Sequence, residues 1–315
     1  MALSKILPAS QEQYAGARNL IINGAFECWQ RSVSVSSQTG SGYKTADRWR
    51  VNASGGTYNQ SRQTVPLGDS VVGDFKYFLR HEVTTGDNFT GIQQRIEDVQ
   101  SVAEGTVTLS FYAKGTNPNA GSIAIGTNQY FGTGGSPSTN VEVQDAATFT
   151  VTSSWQRFNF QLTVASISGK TLGTNGDSYF QIQFTQAGGD ASTDAWTLDI
   201  TGVQLEVGEA TPFEHRSYGD ELRRCQRYYQ RAVHEHRGIG VGYQTTAHNY
   251  IVQMRASPTK TFSGGSFSNI NGSAEQDITE ITINSVGGFG HRFQYYANAS
   301  TWYVLLRSAE YDAEL

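Results

Sequence analysis

The sequence predicts an all-β protein: an antiparallel jelly-roll sandwich, a short connecting helix and a smaller C-terminal β-domain. Three observations carry this. Apolar side chains alternate with a period of two in short runs bounded by Gly, Ser or Asn. Aromatic residues make up 12% of the 315 and charged residues only 16%, so Phe, Tyr and Trp must supply much of the core while polar turn residues fill the rest. One segment alone, residues 213–237, changes to a helical period.

The elements follow in order. Residues 1–18 read as an N-terminal arm and 19–212 as the sandwich. The first strand is expected in NLIINGAFECW, where Asn23-Gly24 signals a turn and Phe26 and Trp29 resume the apolar pattern. After a Ser/Gly-rich loop, GTVTLSFYAKG places Val107, Leu109, Phe111 and Ala113 on one face. SWQRFNFQLTV does the same with Phe158, Phe160, Leu162 and Val164, and YFQIQF with Phe180, Ile182 and Phe184. In WTLDITGVQLEVG the phase slips: Trp196, Leu198 and Ile200 are in step, then Val203, Leu205 and Val207 one residue later. A β-bulge at Thr201-Gly202 absorbs the extra residue.

After Pro212 the spacing Leu222, Cys225, Tyr229, Ala232 makes a helical stripe, capped by Ser217 or Asp220 and ended by Gly238. Arg223, Arg224, Arg227 and Arg231 lie on or beside its other face. Runs such as HNYIVQMR and DITEITINSV restore β character over 238–315.

Composition excludes several classes. The net charge is −5 and no Lys/Arg block stands outside the helix, so no nucleic-acid partner is expected. No apolar window is long enough to span a membrane, and the N-terminus lacks the apolar core of a secretory signal. Two distant cysteines, Cys28 and Cys225, read as small buried hydrophobes.

The segments NLIINGAFECWQRS, YKTADRW and VQLEVGEATPFEHRSYGDELRRCQRYYQR, in this order over residues 19 to 231, resemble a family of bacteriophage virion proteins of the tail-fibre and tail-tip type. The following domain, with its MRASPT at 254–259, fits the same family. The first domain is also similar to the carbohydrate-binding jelly rolls attached to glycoside hydrolases, which share the NGxFE opening and a WTLDI-type strand. The resemblance implies a virion protein made in the host cytoplasm, partnered by other virion proteins, with a homotrimer as default assembly and a host-surface glycan as ligand. A head fibre or capsid decoration protein is the alternative, and a carbohydrate-binding module detached from its hydrolase is the third.

Candidate residues follow. No catalytic set is expected, because no GxSxG or HExxH motif occurs and no spacing singles out a pair among the 28 acidic residues. GTGGSP at 132–137 precedes no helix and carries no Lys. Loop aromatics that could stack on sugar are Tyr43, Tyr58, Tyr130 and Phe131, with Tyr295, Tyr296 and Trp302 in the second domain. Similarity to the carbohydrate-binding jelly rolls implies a structural Ca²⁺ at Glu27 and Asp199; the plainer reading of these two is surface carboxylates. Trp29 and Trp49 read as core anchors, with Asp47 and Arg48 as a turn-fixing ion pair. The helical stripe, with Leu222, Arg223, Arg227 and Tyr229, is expected to line the subunit interface of a trimer.

Overall fold

The computed structural model describes residues 18–85, 89–118, 121–187, 195–239, 242–268, 281–286, 290–297 and 301–315. The arm assigned to residues 1–18 lies outside them except for Arg18. The chain divides into two units, Met1–Glu221 with Leu315, and Leu222–Glu314.

The first unit is the jelly roll, built from two six-stranded antiparallel sheets. The first sheet runs, in spatial order, β1 (Ser34–Gln38), β4 (Thr57–Thr64), β5 (Tyr77–Thr85), β12 (Trp196–Val207), β7 (Gly105–Thr116) and β10 (Gln156–Val164). The second runs β2 (Gly42–Tyr43), β3 (Arg50–Ser54), β6 (Phe89–Glu97), β11 (Tyr179–Gln186), β8 (Ile123–Tyr130) and β9 (Val141–Phe149). Alternation turns Leu109, Phe111, Phe180, Ile182, Phe184, Trp196, Leu198 and Ile200 into one shared core with Trp49. Trp29, Phe158 and Phe160 are only partly buried against it; the two phenylalanines sit on the edge strand β10, where one side has no neighbouring strand to close over them. The register of β12 shifts between Thr201 and Gln204, so Val203 and Leu205 regain the core. Val207 does not, contrary to the period: it is 43% exposed, because the strand has passed the end of the core.

The motif segments converge on that bulge. Leu20 N–H donates to the Leu205 carbonyl at 2.9 Å, and Val203 N–H to the Gly24 carbonyl at 3.0 Å. A Cβ on Gly24 would lie 2.1 Å from the Val203 oxygen, so the Asn-Gly pair is a close-approach requirement. The Asn23 amide donates to the carbonyls of Cys28 and Asp47, and its backbone N–H to Glu221. Arg216 donates to the carbonyls of Asn19 and Ile21 and pairs with Glu214 and Glu221. Glu214, Arg216 and Glu221 therefore hold residues 19–23, and residues 213–221 group with the first unit. Asp47 pairs with Arg31 at 3.6 Å, while Arg48 donates to the Arg95 carbonyl.

The helix α1 (Tyr218–Gln226) is nine residues long, shorter than the expected span. Ser217 caps it, accepting from Asp220 N–H and donating to the Asp220 carboxylate. Tyr229 and Ala232, expected on the helical stripe, begin the strand β13 (Tyr229–Ile239), since paired tyrosines and β-branched neighbours favour a strand once β18 (Thr301–Asp312) offers a partner.

The second unit holds two three-stranded antiparallel sheets. One is β13, β18 and β15 (Thr259–Ser268); the other is β14 (Gly242–Asn249), β17 (Gly290–Ala297) and β16 (Ile281–Val286). A small core gathers Tyr250, Met254, Ala309, Tyr311 and Ala313. MRASPT has its place here: Met254 is buried, and the Arg255 guanidinium donates to the Ala313 carbonyl at 3.0 Å.

Candidate ligand-binding face

The alternation that sends Phe180, Ile182 and Phe184 inward turns Tyr179, Gln181, Gln183 and Thr185 to the outer face of the second sheet. Register then determines their neighbours. One row across the sheet reads Tyr43, Arg50, Gln93, Gln183, Gly126. The next reads Arg95, Gln181, Asn128, Glu142, and a third Glu97, Tyr179, Tyr130.

These side chains are organised by one another. Tyr130 stacks on Tyr179 with centroids 4.7 Å apart, and the Arg95 guanidinium lies 4.5 Å above the Tyr179 ring. Arg95 Nε donates to Gln181 Oε1 at 3.3 Å, and Gln181 Nε2 to Gln183 Oε1 at 3.2 Å. Gly126 leaves the slot in which that last amide lies; a Cβ there would stand 2.6 Å from Gln183 Nε2. Arg31 covers the Tyr43 ring at 5.2 Å. Leu315, which groups with the first unit, offers its main-chain oxygen to Arg95 Nη1 at 2.6 Å and to the Tyr43 hydroxyl at 3.2 Å.

Other polar atoms on this face have no hydrogen-bond partner: both amide atoms of Gln93, Asn128 Oδ1 and Thr185 Oγ1. Gln93 is 1% exposed, so its amide carries an unmet demand for partners worth about 1–3 kcal/mol. Burial, and then the nearby Arg95 charge, lower the pKa of Arg50. Burial raises that of Tyr179.

Of the expected residues, Tyr43 and Tyr130 lie on this face, on β2 and β8, with three strands between them. Tyr58 is corrected: it is fully buried in the first sheet, packs on His81 and donates to the Gly40 carbonyl at 2.9 Å, and burial pushes its pKa up to about 12. Phe131 is likewise buried. Tyr295 and Tyr296 fall on β17 and Trp302 on β18, but their side chains lie outside the described residues. Asp199 gives both carboxylate oxygens to Arg80, at 2.7 and 2.8 Å, on the outer face of the first sheet. Glu27 instead borders a cavity of about 20 Å³, room for one water, beside Glu214, His215 and Glu221. Burial, and then Glu221, raise its pKa. The two are not brought together as calcium ligands, and among the described residues no group of three or more His, Cys, Asp or Glu side chains could hold a metal ion. Of the helical interface residues, Arg223 is exposed, Leu222 and Arg227 are half-buried, and Tyr229 is buried on its strand.

Sequence reasoning passed over Arg50, Gln93, Arg95, Asn128, Tyr179, Gln181 and Gln183. The signal was present in YFQIQF, whose odd members are the outward ones, but strand neighbours cannot be assigned from one run.

No protein-family model matches this sequence, and no match to a curated protein was found. Among solved structures, this chain is similar to the N-terminal cellulose-binding domain of Cellulomonas fimi β-1,4-glucanase C. That match has 21% identity and a TM-score of 0.29, covering 42% of this chain and 80% of that one. The CBM22-2 xylan-binding domain of Paenibacillus barcinonensis Xyn10C matches with 15% identity and a TM-score of 0.32, covering 51% and 92%. The enzymatically active domain of tailspike protein 4 of bacteriophage CBA120 matches with 13% identity and a TM-score of 0.33, and the match covers 60% of this chain but only 21% of that one. The fold assignment rests on the sheet topology of the chain itself. Among the described residues no helix is long and apolar enough to cross a membrane.

Proposed function

We propose that this chain is a non-enzymatic bacteriophage virion protein of a tail fibre or tail tip, whose jelly roll binds a host-surface glycan on the outer face of the second sheet. The observation that carries the binding role is the row of Tyr43, Arg50, Gln93 and Gln183 flanked by the Tyr130–Tyr179 stack. Aromatic faces meet the C–H faces of a sugar ring, and amides and guanidinium groups satisfy its hydroxyls. The virion role is supported by the three motif segments, whose residues build one buried network around Asn23 and Arg216. A homotrimer is the assembly proposed with it.

The test is binding of the full chain to an array of bacterial surface glycans, together with imaging and mass spectrometry of purified virions. Binding that is lost in Gln183→Ala, and a tail location, are expected. A capsid location would make it a decoration protein, and absence from particles would end the virion reading. Sustained release of reducing ends from the bound glycan would overturn the non-enzymatic assignment.

A further inference from the structure

We infer that the glycan this face takes is acidic: a saccharide bearing a carboxylate, held between Arg50 and Arg95. The inference rests on the glycan-binding reading above and adds the chemical class of the ligand.

Charge is the first argument. The cations of the face are Arg31, Arg50 and Arg95, and its carboxylates are Glu97 and Glu142. Arg31 is committed to Asp47 at 3.6 Å. Arg50 lies directly opposite Gln93, Arg95 follows Gln93 by two residues on β6 in the adjacent row, and none of the described residues forms an ion pair with Arg50. Its guanidinium donates to a neutral acceptor, Asn52 Oδ1, at 3.5 Å. Arg95 spends its donors on Gln181 Oε1 and on the main-chain oxygen of Leu315. Burial first, and then the charge of Arg95, lower the pKa of Arg50, so the two guanidinium groups repel each other. A carboxylate between them relieves the repulsion and accepts charge-assisted hydrogen bonds from both.

Geometry is the second. The Leu315 oxygen already lies where Arg95 Nη1 and the Tyr43 hydroxyl converge, so the face can hold an oxygen acceptor at that point; a ligand oxygen would take its place. Gln93, directly opposite Arg50 and two residues before Arg95, keeps both amide atoms buried and without a partner among the described residues. The Gln181–Gln183 relay holds Arg95 in place, and the half-buried Tyr130 ring, stacked on Tyr179, stands beside it. A neutral polysaccharide would use the tyrosines and amides but leave the Arg50 guanidinium without a counter-charge.

The test is calorimetric titration of the full chain with a panel of uronate-containing oligosaccharides, each beside its carboxyl-reduced form, and with neutral gluco-oligosaccharides. At least one uronate form is expected to bind about tenfold or more tightly than its reduced form, a preference that shrinks as salt is raised. Arg50→Gln should erase the preference and Arg50→Lys should retain part of it, with unchanged thermal midpoints as the check on folding. Should Arg50→Gln fail to fold, Arg95→Gln is read in its place. Equal binding of the acidic and reduced forms, or a preference that survives Arg50→Gln, overturns the inference. Binding of neutral glycans alone leaves the glycan-binding reading standing and this inference refuted. Binding of no saccharide at all removes both.

Discussion

On the outer face of the first sheet, Val65, Val72, Phe75 and Phe78 form an apolar cover, joined by Tyr112, Trp155 and Phe213. On the outer face of the second, tyrosines, arginines and amides stand in rows, and several polar atoms have no partner. The inner faces of the two sheets are interchangeable in kind; both turn phenylalanines and β-branched residues to one core. The first sheet's outer side chains thus belong to the fold. Phe75 meets Phe213 edge-on at 5.0 Å, Lys114 lies over Trp155 at 4.9 Å, and Asp199 is neutralised by Arg80. The second sheet's outer side chains stabilise the fold poorly, because a buried amide without partners opposes folding. Residues kept at that expense are the ones to ask for a ligand.

The comparison breaks most visibly at Phe75. Phe75→Ala opens a cavity in the apolar cover and should lower unfolding stability by about 3–5 kcal/mol, read from urea denaturation. A loss no larger than that of a surface substitution would show that the cover is ornamental.

The first sheet should also set the acid sensitivity of the unit. His81, wholly buried against Tyr58 and Trp196, has its pKa pushed down to about 3 by desolvation, against an ordinary value of 6.5. Its folded form stays neutral while the unfolded chain binds a proton below pH 6.5. The stability this supplies is complete above that value and is lost as pH falls toward 3, with a slope of up to about 1.4 kcal/mol per pH unit. His81→Gln should flatten that part of the stability–pH curve; an unchanged slope would remove His81 from the account.

Smaller effects sharpen the contrast. Asp199→Asn leaves Arg80, whose side chain is 40% exposed, to solvent, so screening limits the loss to about 1 kcal/mol. On the second sheet, Gln93→Leu should leave stability unchanged or raise it by up to about 1 kcal/mol, because it removes an unpaired buried amide, while abolishing glycan binding. A strongly destabilised Gln93→Leu chain would mean that this amide serves the fold after all.

Period-two alternation made the sandwich strands legible in sequence, and the phase slip in WTLDITGVQLEV located the bulge to the residue. Both are local signals, dictated by the geometry of a pleated strand. The helix was legible only in part. Leu222 and Cys225 lie on α1, but Tyr229 and Ala232 kept a helical spacing while pairing as a strand with β18, a partner some 80 residues away along the chain. The arginines after Pro212 read as a solvated or intersubunit face; tertiary structure gave Arg216 the carbonyls of Asn19 and Ile21 instead.

The site divides the same way. Tyr43 and Tyr130 were legible as aromatics with a polar setting, whereas Tyr58 shared that description and turned out to be core, because its strand pairs with β5 in the first sheet and turns it inward onto His81. Where alternation is regular, as in β7 and β11, sequence by itself determined which side chains are inward and which outward, since that depends on a residue and its next-nearest neighbours. Which strands lie side by side, and therefore that Arg50, Gln93, Gln183 and the Tyr130–Tyr179 stack share one face, was decided by tertiary structure alone. Register between distant strands comes from the packing of both inner faces at once, and no single run of residues contains it.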